Sequence, residues 1–163
     1  MNRQIAVRAL LGAWAALLTL AIGSLMVDHL APLPPLGNPK TIAQGLTTHL
    51  GPAQARVVHV IAAGCSCTRG LLEHLHTRGP RRDRPEILLL IGAPDAAPTL
   101  AERGFTLHTL TREELRRDLA IDGAPVLLVQ AADGALTYAG GYFDVPAAIH
   151  ALDEYILAEL DLG

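Results

Sequence analysis

Residues 55–76 read ARVVHVIAAGCSCTRGLLEHLH, and the fold turns on how this stretch is parsed. Residues 55–63 are rich in β-branched and apolar residues without strict alternation, which predicts a strand buried on both faces. Gly64 breaks it. The segment 68–76 predicts a short helix that ends before Gly79-Pro80. Between strand and helix stand Cys65, Ser66 and Cys67, and the chain holds no other cysteine.

The same alternation continues on both sides. Asn38 is a good N-cap and Pro39 a good first residue for a helix whose apolar stripe is Ile42, Leu46 and Leu50. Gly51-Pro52 stops that helix. EILLLIGAP, 86–94, predicts a second buried strand, and 95–103 a helix closed by Gly104. FTLHTL, 105–110, is a short strand candidate. Thr111 with Glu114 forms a capping box for a helix to about Leu119. APVLLVQ, 124–130, predicts a third buried strand. Ala132-Asp133-Gly134 signals a hairpin whose partner strand lies in 135–142. A last helix is expected from about Val145 to Leu160. Buried strands alternating with helices predict an α/β domain: a mostly parallel sheet, covered by helices on both faces and finished by an antiparallel hairpin.

Ahead of this domain, Ala9 to Val27 is a run of 19 residues without a charge. That length suits one membrane-spanning helix at about 1.5 Å per residue. Arg3 and Arg8 precede the run, so its N-terminal side is expected in the cytoplasm and the remainder outside. A cleaved signal peptide is the competing reading. The run is long for that role and no clear small-x-small cleavage site follows it. Residues 1–29 are therefore read as a membrane anchor. Residues 30–38, with Pro32, Pro34 and Pro35, form a stiff linker. Residues 39–163 make one domain exported across a bacterial-type inner membrane into the periplasm.

The 163 residues are 50% hydrophobic, and the formal net charge of −3 gives no reason to expect nucleic acid. The cluster RGPRRDRPE, Arg78 to Glu86, carries four arginines and reads as a solvated loop; docking of an acidic partner or lipid headgroup is the other reading. Tyr142 and Phe143 read as core packing under the last helix.

Export puts Cys65 and Cys67 where disulfides form and persist. A pair one residue apart closes a tiny loop and removes little chain entropy, so it makes a poor structural staple. Position favours chemistry instead. A thiol at a helix N-terminus faces unpaired N–H groups and the positive end of the helix dipole, and both favour the thiolate. Arg69 adds positive charge nearby.

A strand, a small turn, a close cysteine pair, a helix and, far downstream, IDGAPVLLVQAADGALTYAGGY (121–142) together resemble the thioredoxin-like superfamily, over roughly residues 40–160. The extra FTLHTL segment is similar to membrane-anchored exported members and peroxiredoxins. The resemblance implies a central mixed sheet with helices on both faces. It implies a cis bond at Ala124-Pro125, facing the cysteines and helping to hold a substrate chain. It implies thiol–disulfide exchange with a protein thiol or disulfide partner and no bound cofactor. Cys65 takes the attacking position and Cys67 the resolving one. Gly64 and Ser66 join Ala124 and Pro125 in contacting substrate. His59 matches a position that often carries a buried acidic group handling the inner thiol's proton. An imidazole can do the same; a core histidine with satisfied hydrogen bonds is the plainer reading.

The motif departs from the family in its spacing. The usual pair has two intervening residues, and residues two apart on a helix do not face each other. A Cys65–Cys67 disulfide therefore needs Cys65 outside the helix, in a turn that Gly64 and Ser66 permit, and a small strained ring is expected to be oxidising. Gly64 also stands where the family usually has an aromatic residue. Two readings compete. Two soft thiolates can take Cu(I), and a copper(I) chaperone would use them so. Related exported copper chaperones pair Cys-x-x-x-Cys with a distant histidine, whereas the spacing here differs and no histidine, His108 and His150 included, stands in an obvious matching loop. His74 and His76 lie two apart on one helix and cannot share an ion. A thioredoxin-like module retained only for binding or assembly is the third reading. No peroxidatic Pro-x-x-x-Thr lead-in precedes Cys65.

Overall fold

The computed structural model describes residues 3–30, 36–64, 66–92, 95 and 97–142. Cys65, Phe143, His150 and the helix expected from Val145 to Leu160 lie outside the described residues, as do the side chains of Ser66 and Cys67. The chain divides into two compact units, Met1–Leu33 and Pro34–Gly163.

The first unit is one helix, α1, Arg3–Leu30. Every described side chain on it, Val7, Arg8 and Leu10 to Ser24, is exposed. Leu10, Trp14 and Leu20 are 73%, 63% and 71% exposed, so the apolar surface runs all round the helix rather than down one stripe. Judged on described residues, no helix is long and apolar enough to cross a membrane.

The second unit begins with α2, Pro39–Leu50, capped by the Asn38 side chain, which accepts from the Lys40 N–H. There follow β1, Arg56–Ala62; α3, Ser66–Arg78; β2, Glu86–Ile91; α4, Ala97–Glu102; β3, Thr106–Leu110; α5, Arg112–Leu119; β4, Val126–Gln130; and β5, Leu136–Gly140. The five strands form one sheet in the order β3-β2-β1-β4-β5. α5 opens with the expected capping box, in which the Thr111 side chain accepts from the Glu114 N–H and the Glu114 carboxylate accepts from the Thr111 N–H.

Strand direction corrects the mostly parallel sheet expected from residue pattern and agrees with the mixed sheet that the resemblance implied. β1–β2 and β2–β3 are parallel, but β4 runs antiparallel to β1 and β5 antiparallel to β4. The sheet is evenly mixed rather than mostly parallel. The apolar run of β4 could not reveal this, because a strand buried on both faces reads the same in either direction. The order and directions, with a cis Ala124–Pro125 bond ahead of β4, make the fold thioredoxin-like.

Alternate residues of the central strands feed two cores. Val58, Val60, Leu89 and Leu128 pack on one face with Ile42 and Leu46 of α2 and Leu115 and Leu119 of α5. Val57, Ile61, Leu88, Leu90 and Leu127 pack on the other with Leu71 and Leu75 of α3 and Leu100 of α4. Each such fully buried side chain contributes roughly 1.5–3 kcal/mol. Both faces of β1 are thus held by packing, and so is its C-terminal end, from which the cysteine turn departs.

Candidate functional site

β1 ends at Ala62, and the Ala63 N–H donates to the Ile91 carbonyl at 2.9 Å, extending the sheet by one bond. Gly64 follows with φ of +81°, a left-handed conformation that suits glycine. α3 starts at Ser66, one to two residues earlier than expected, so Cys67 is its second residue. The buried Thr68 hydroxyl donates to the Ala62 carbonyl at 3.3 Å and ties the first turn of the helix to the strand end. Cys67 thus belongs to the first turn of a 13-residue helix. The backbone N–H groups of that turn have no intrahelical acceptor, and the helix dipole is positive there.

The antiparallel register brings Ala124 and Pro125 to the same end of β1. Val60 pairs with Val126, so counting backwards puts Pro125 level with Ile61 and Ala124 level with Ala62. Pro125 is buried and Ala124 half-buried. Gly64, the start of α3 and the cis Ala124–Pro125 bond therefore share one edge of the sheet.

His59 lies deeper. It stands three residues before Ala62, about 10 Å along the strand, and is fully buried on the α3 side of the sheet. Its Nε2 is 2.7 Å from Glu86 Oε1 and its Nδ1 is 2.6 Å from the Tyr142 hydroxyl. Glu86 is buried as well. It accepts from Arg78 Nη2 at 2.6 Å, from Arg78 Nη1 at 2.9 Å and from the Arg81 N–H at 2.9 Å. Burial alone would raise the Glu86 carboxyl, but hydrogen bonds from Arg78 and His59, with their charges, outweigh it and hold the group well below the usual carboxylate range. Burial and the Glu86 charge push the Tyr142 phenol well above its ordinary value. An ionised carboxylate only accepts, so Nε2 of His59 carries a proton and donates it to Glu86.

His59 therefore has the satisfied hydrogen bonds of the plainer reading, and its partners were not foreseen. Glu86 and Arg78 belong to the stretch read as a solvated loop. Arg82 and Asp83 are exposed as expected. Arg78, however, is the last residue of α3 and clamps the buried Glu86. The available signal was a glutamate opening one apolar strand and a histidine in the middle of the other. Tyr142 does pack against the core, as expected, and also bonds His59. Of the histidines weighed for copper, His108 lies half-buried on the edge strand β3, and His74 and His76 lie on α3.

No protein-family model matches the chain, and no curated protein matches it. Among solved structures it is similar to a thiol:disulfide interchange protein from Bacteroides sp. at 14% identity, covering 64% of this chain and 74% of that one, with a TM-score of 0.44. It is similar to a Chlorobium tepidum structure described as a thiol:disulfide interchange protein DsbE, at 19% identity, 66% and 80% coverage and a TM-score of 0.46. It is also similar to an uncharacterized thioredoxin-like protein from Porphyromonas gingivalis, at 11% identity, 68% and 78% coverage and a TM-score of 0.43.

Proposed function

We propose that this chain is a membrane-anchored periplasmic thiol–disulfide oxidoreductase acting on protein thiols through Cys65 and Cys67. One observation carries the reading. α3 begins at Ser66, at the end of the central strand, and the cis Ala124–Pro125 bond lies level with that strand end. Cys67 then gains thiolate character from the helix N-terminus. A thiolate at Cys65 attacks a partner disulfide, or a partner thiolate attacks an oxidised Cys65, and a mixed disulfide forms. In the first case Cys67 attacks that bond, releases the partner reduced and leaves the pair oxidised; in the second, a second thiolate of the partner attacks it, which leaves the partner oxidised and the pair reduced. Ala124 and Pro125, with Gly64 and Ser66, line the partner chain. His59 handles the proton of Cys67.

The anchor is residues 9–27, and its support is an uncharged run of membrane-spanning length on a helix exposed on all described faces. The decisive experiment is a trap in the full-length chain. Cys67→Ala should accumulate a mixed disulfide through Cys65 that reducing agent releases, and Cys65→Ala should accumulate none. Absence of any adduct from Cys67→Ala overturns the reading. A tight one-to-one Cu(I) complex of the reduced chain, lost in either variant, would put copper handling in its place.

A further inference from the structure

The two edges of the sheet are built differently. β5 forms one edge, and its ladder to β4 carries a register shift at Val129/Gln130, the kind of irregularity that spoils an edge for further pairing. β3 forms the other edge. Its register with β2 runs unbroken from Thr106 to Leu110. GFTLHTLT, 104–111, holds no lysine, arginine, aspartate, glutamate or proline. β3 therefore lacks the charge, the proline and the bulge that blunt an edge strand. Thr106 and Thr109 are exposed, and Leu107 and His108 are half-buried. Among the described residues no strand bonds the outer side of β3. A strand paired on one side only turns the N–H and C=O groups of alternate residues outward.

We infer that β3 is a self-association edge: it pairs antiparallel with β3 of a second copy of this chain and joins two five-stranded sheets into one. The inference goes beyond the thiol reading and does not need it. Full overlap of the five-residue strands puts His108 opposite its own twin, with a two-fold axis between them, perpendicular to the sheet. Thr106 then faces Leu110 of the other copy, and Leu107 faces Thr109. Within the strand no lysine, arginine or carboxylate meets its like, because the strand has none. Beyond it the flanks are complementary. By the same count Arg103 of each copy falls opposite Glu113 of the other, and both residues are exposed. Arg103 donates to the His76 and Thr77 carbonyls, neutral groups that leave its charge standing. Glu114, the next acid, is turned back onto Thr111. A second copy thus supplies both an uncharged strand and opposed flank charges, whereas a foreign strand finds no charge in 104–111 to recognise. The two-fold axis turns the copies end for end. The C-terminal ends of the two β1 strands point in opposite directions, so the pairing covers neither.

Two measurements on the full-length chain in detergent micelles test this. The first is cross-linking by dibromobimane, which joins two thiols only at close range, with Cys65→Ser and Cys67→Ser removing the native thiols. His108→Cys should give a covalent dimer, several-fold more than Thr106→Cys. Thr106 is the more exposed of the two, but it lies about 13 Å along the strand from its own twin. Equal yields would show random collision or association through α1, and either that result or no dimer from His108→Cys overturns the pairing. The second is sedimentation equilibrium with the native cysteines kept reduced. His108→Lys sets like charges opposite each other and should weaken the dimer by up to about fivefold. Thr106→Lys, opposite Leu110, should leave it unchanged. A parent chain that is monomeric at every concentration overturns the dimer, and an equal loss in both lysine variants overturns the register. The cross-linking yields stand whether or not a lysine at these positions disturbs the fold.

Discussion

Glu86 is where the charge balance of the core is set. It opens a strand that is otherwise entirely apolar, and it takes hydrogen bonds from Arg78, the Arg81 N–H and His59. Removing one member of such a buried set leaves the others uncompensated. Glu86→Gln should therefore cost about 3–5 kcal/mol, read as a lower urea midpoint at pH 7 with an unchanged slope. The pH dependence has a definite sign. Unfolded, the carboxyl takes a proton near its ordinary value of about 4.3; folded, it does so only well below that. Its contribution is complete above the ordinary value and fades as pH falls toward the folded one. The gap between parent and Glu86→Gln should be constant from pH 7 to pH 5 and narrow in stronger acid. A gap that does not change with pH would place the cost in packing instead. Residues of this kind were the least legible in the sequence. Arg56, fully buried, bonds Gln130 Oε1 at 2.7 Å and the Leu50 carbonyl at 3.2 Å. Nothing in its local pattern separates it from an arginine at a solvated strand end, because both partners come from elements distant in sequence or direction.

Elements were far easier to read, because caps and periodicity are local. Asn38 with Pro39, and Thr111 with Glu114, mark the starts of α2 and α5 where they are found. What pairs those two helices is not local. Gly45 of α2 sits against the backbone of α5. A Cβ there would run into the Asp118 carbonyl oxygen and lie 2.9 Å from both the Asp118 carbonyl carbon and Leu119 Cγ. Alanine is the better helix former by about 1 kcal/mol. Overpacking against rigid backbone costs about 1–3 kcal/mol. The clash should win, so Gly45→Ala should lower the thermal midpoint; a rise would show that α2 and α5 can separate freely. Beside this contact His49 Nε2 lies 3.0 Å from Asp118 Oδ2. The Arg117 side chain, with His49 as a second donor, holds the Asp118 carboxyl down at about 2. Strand direction was the other illegible feature at this scale. The antiparallel pairing of β4 with β1 follows from how α5 and residues 120–125 return the chain to the sheet, and no apolar count in 124–130 contains that.

For the molecule as a whole, composition separates two units before any coordinate does: an uncharged run at residues 9–27, then a chain in which polar and apolar residues alternate in elements. The thioredoxin-like second unit explains its own apolar residues, since they fill two cores on either side of one sheet. α1 has no such explanation within its own unit, because its described side chains are all exposed, Leu10, Trp14, Leu17 and Leu20 among them. The proposed anchor would give them a bilayer as solvent, since 19 residues at about 1.5 Å each come close to the ~30 Å hydrocarbon core. Arg3 and Arg8 precede the run, and no lysine or arginine follows until Lys40, so on the proposed reading the cysteines lie on the far side of the membrane from the cytoplasm. The full chain should remain with membranes through alkaline carbonate extraction, and a chain lacking residues 1–29 should be released. In intact spheroplasts a membrane-impermeant maleimide should label Cys65 and Cys67 after mild reduction. Labelling only after lysis would reverse the orientation and remove the oxidising compartment on which disulfide exchange depends. Release of the full chain by carbonate would remove the anchor and leave the thiol chemistry to be argued from the strand end, α3 and Pro125 alone.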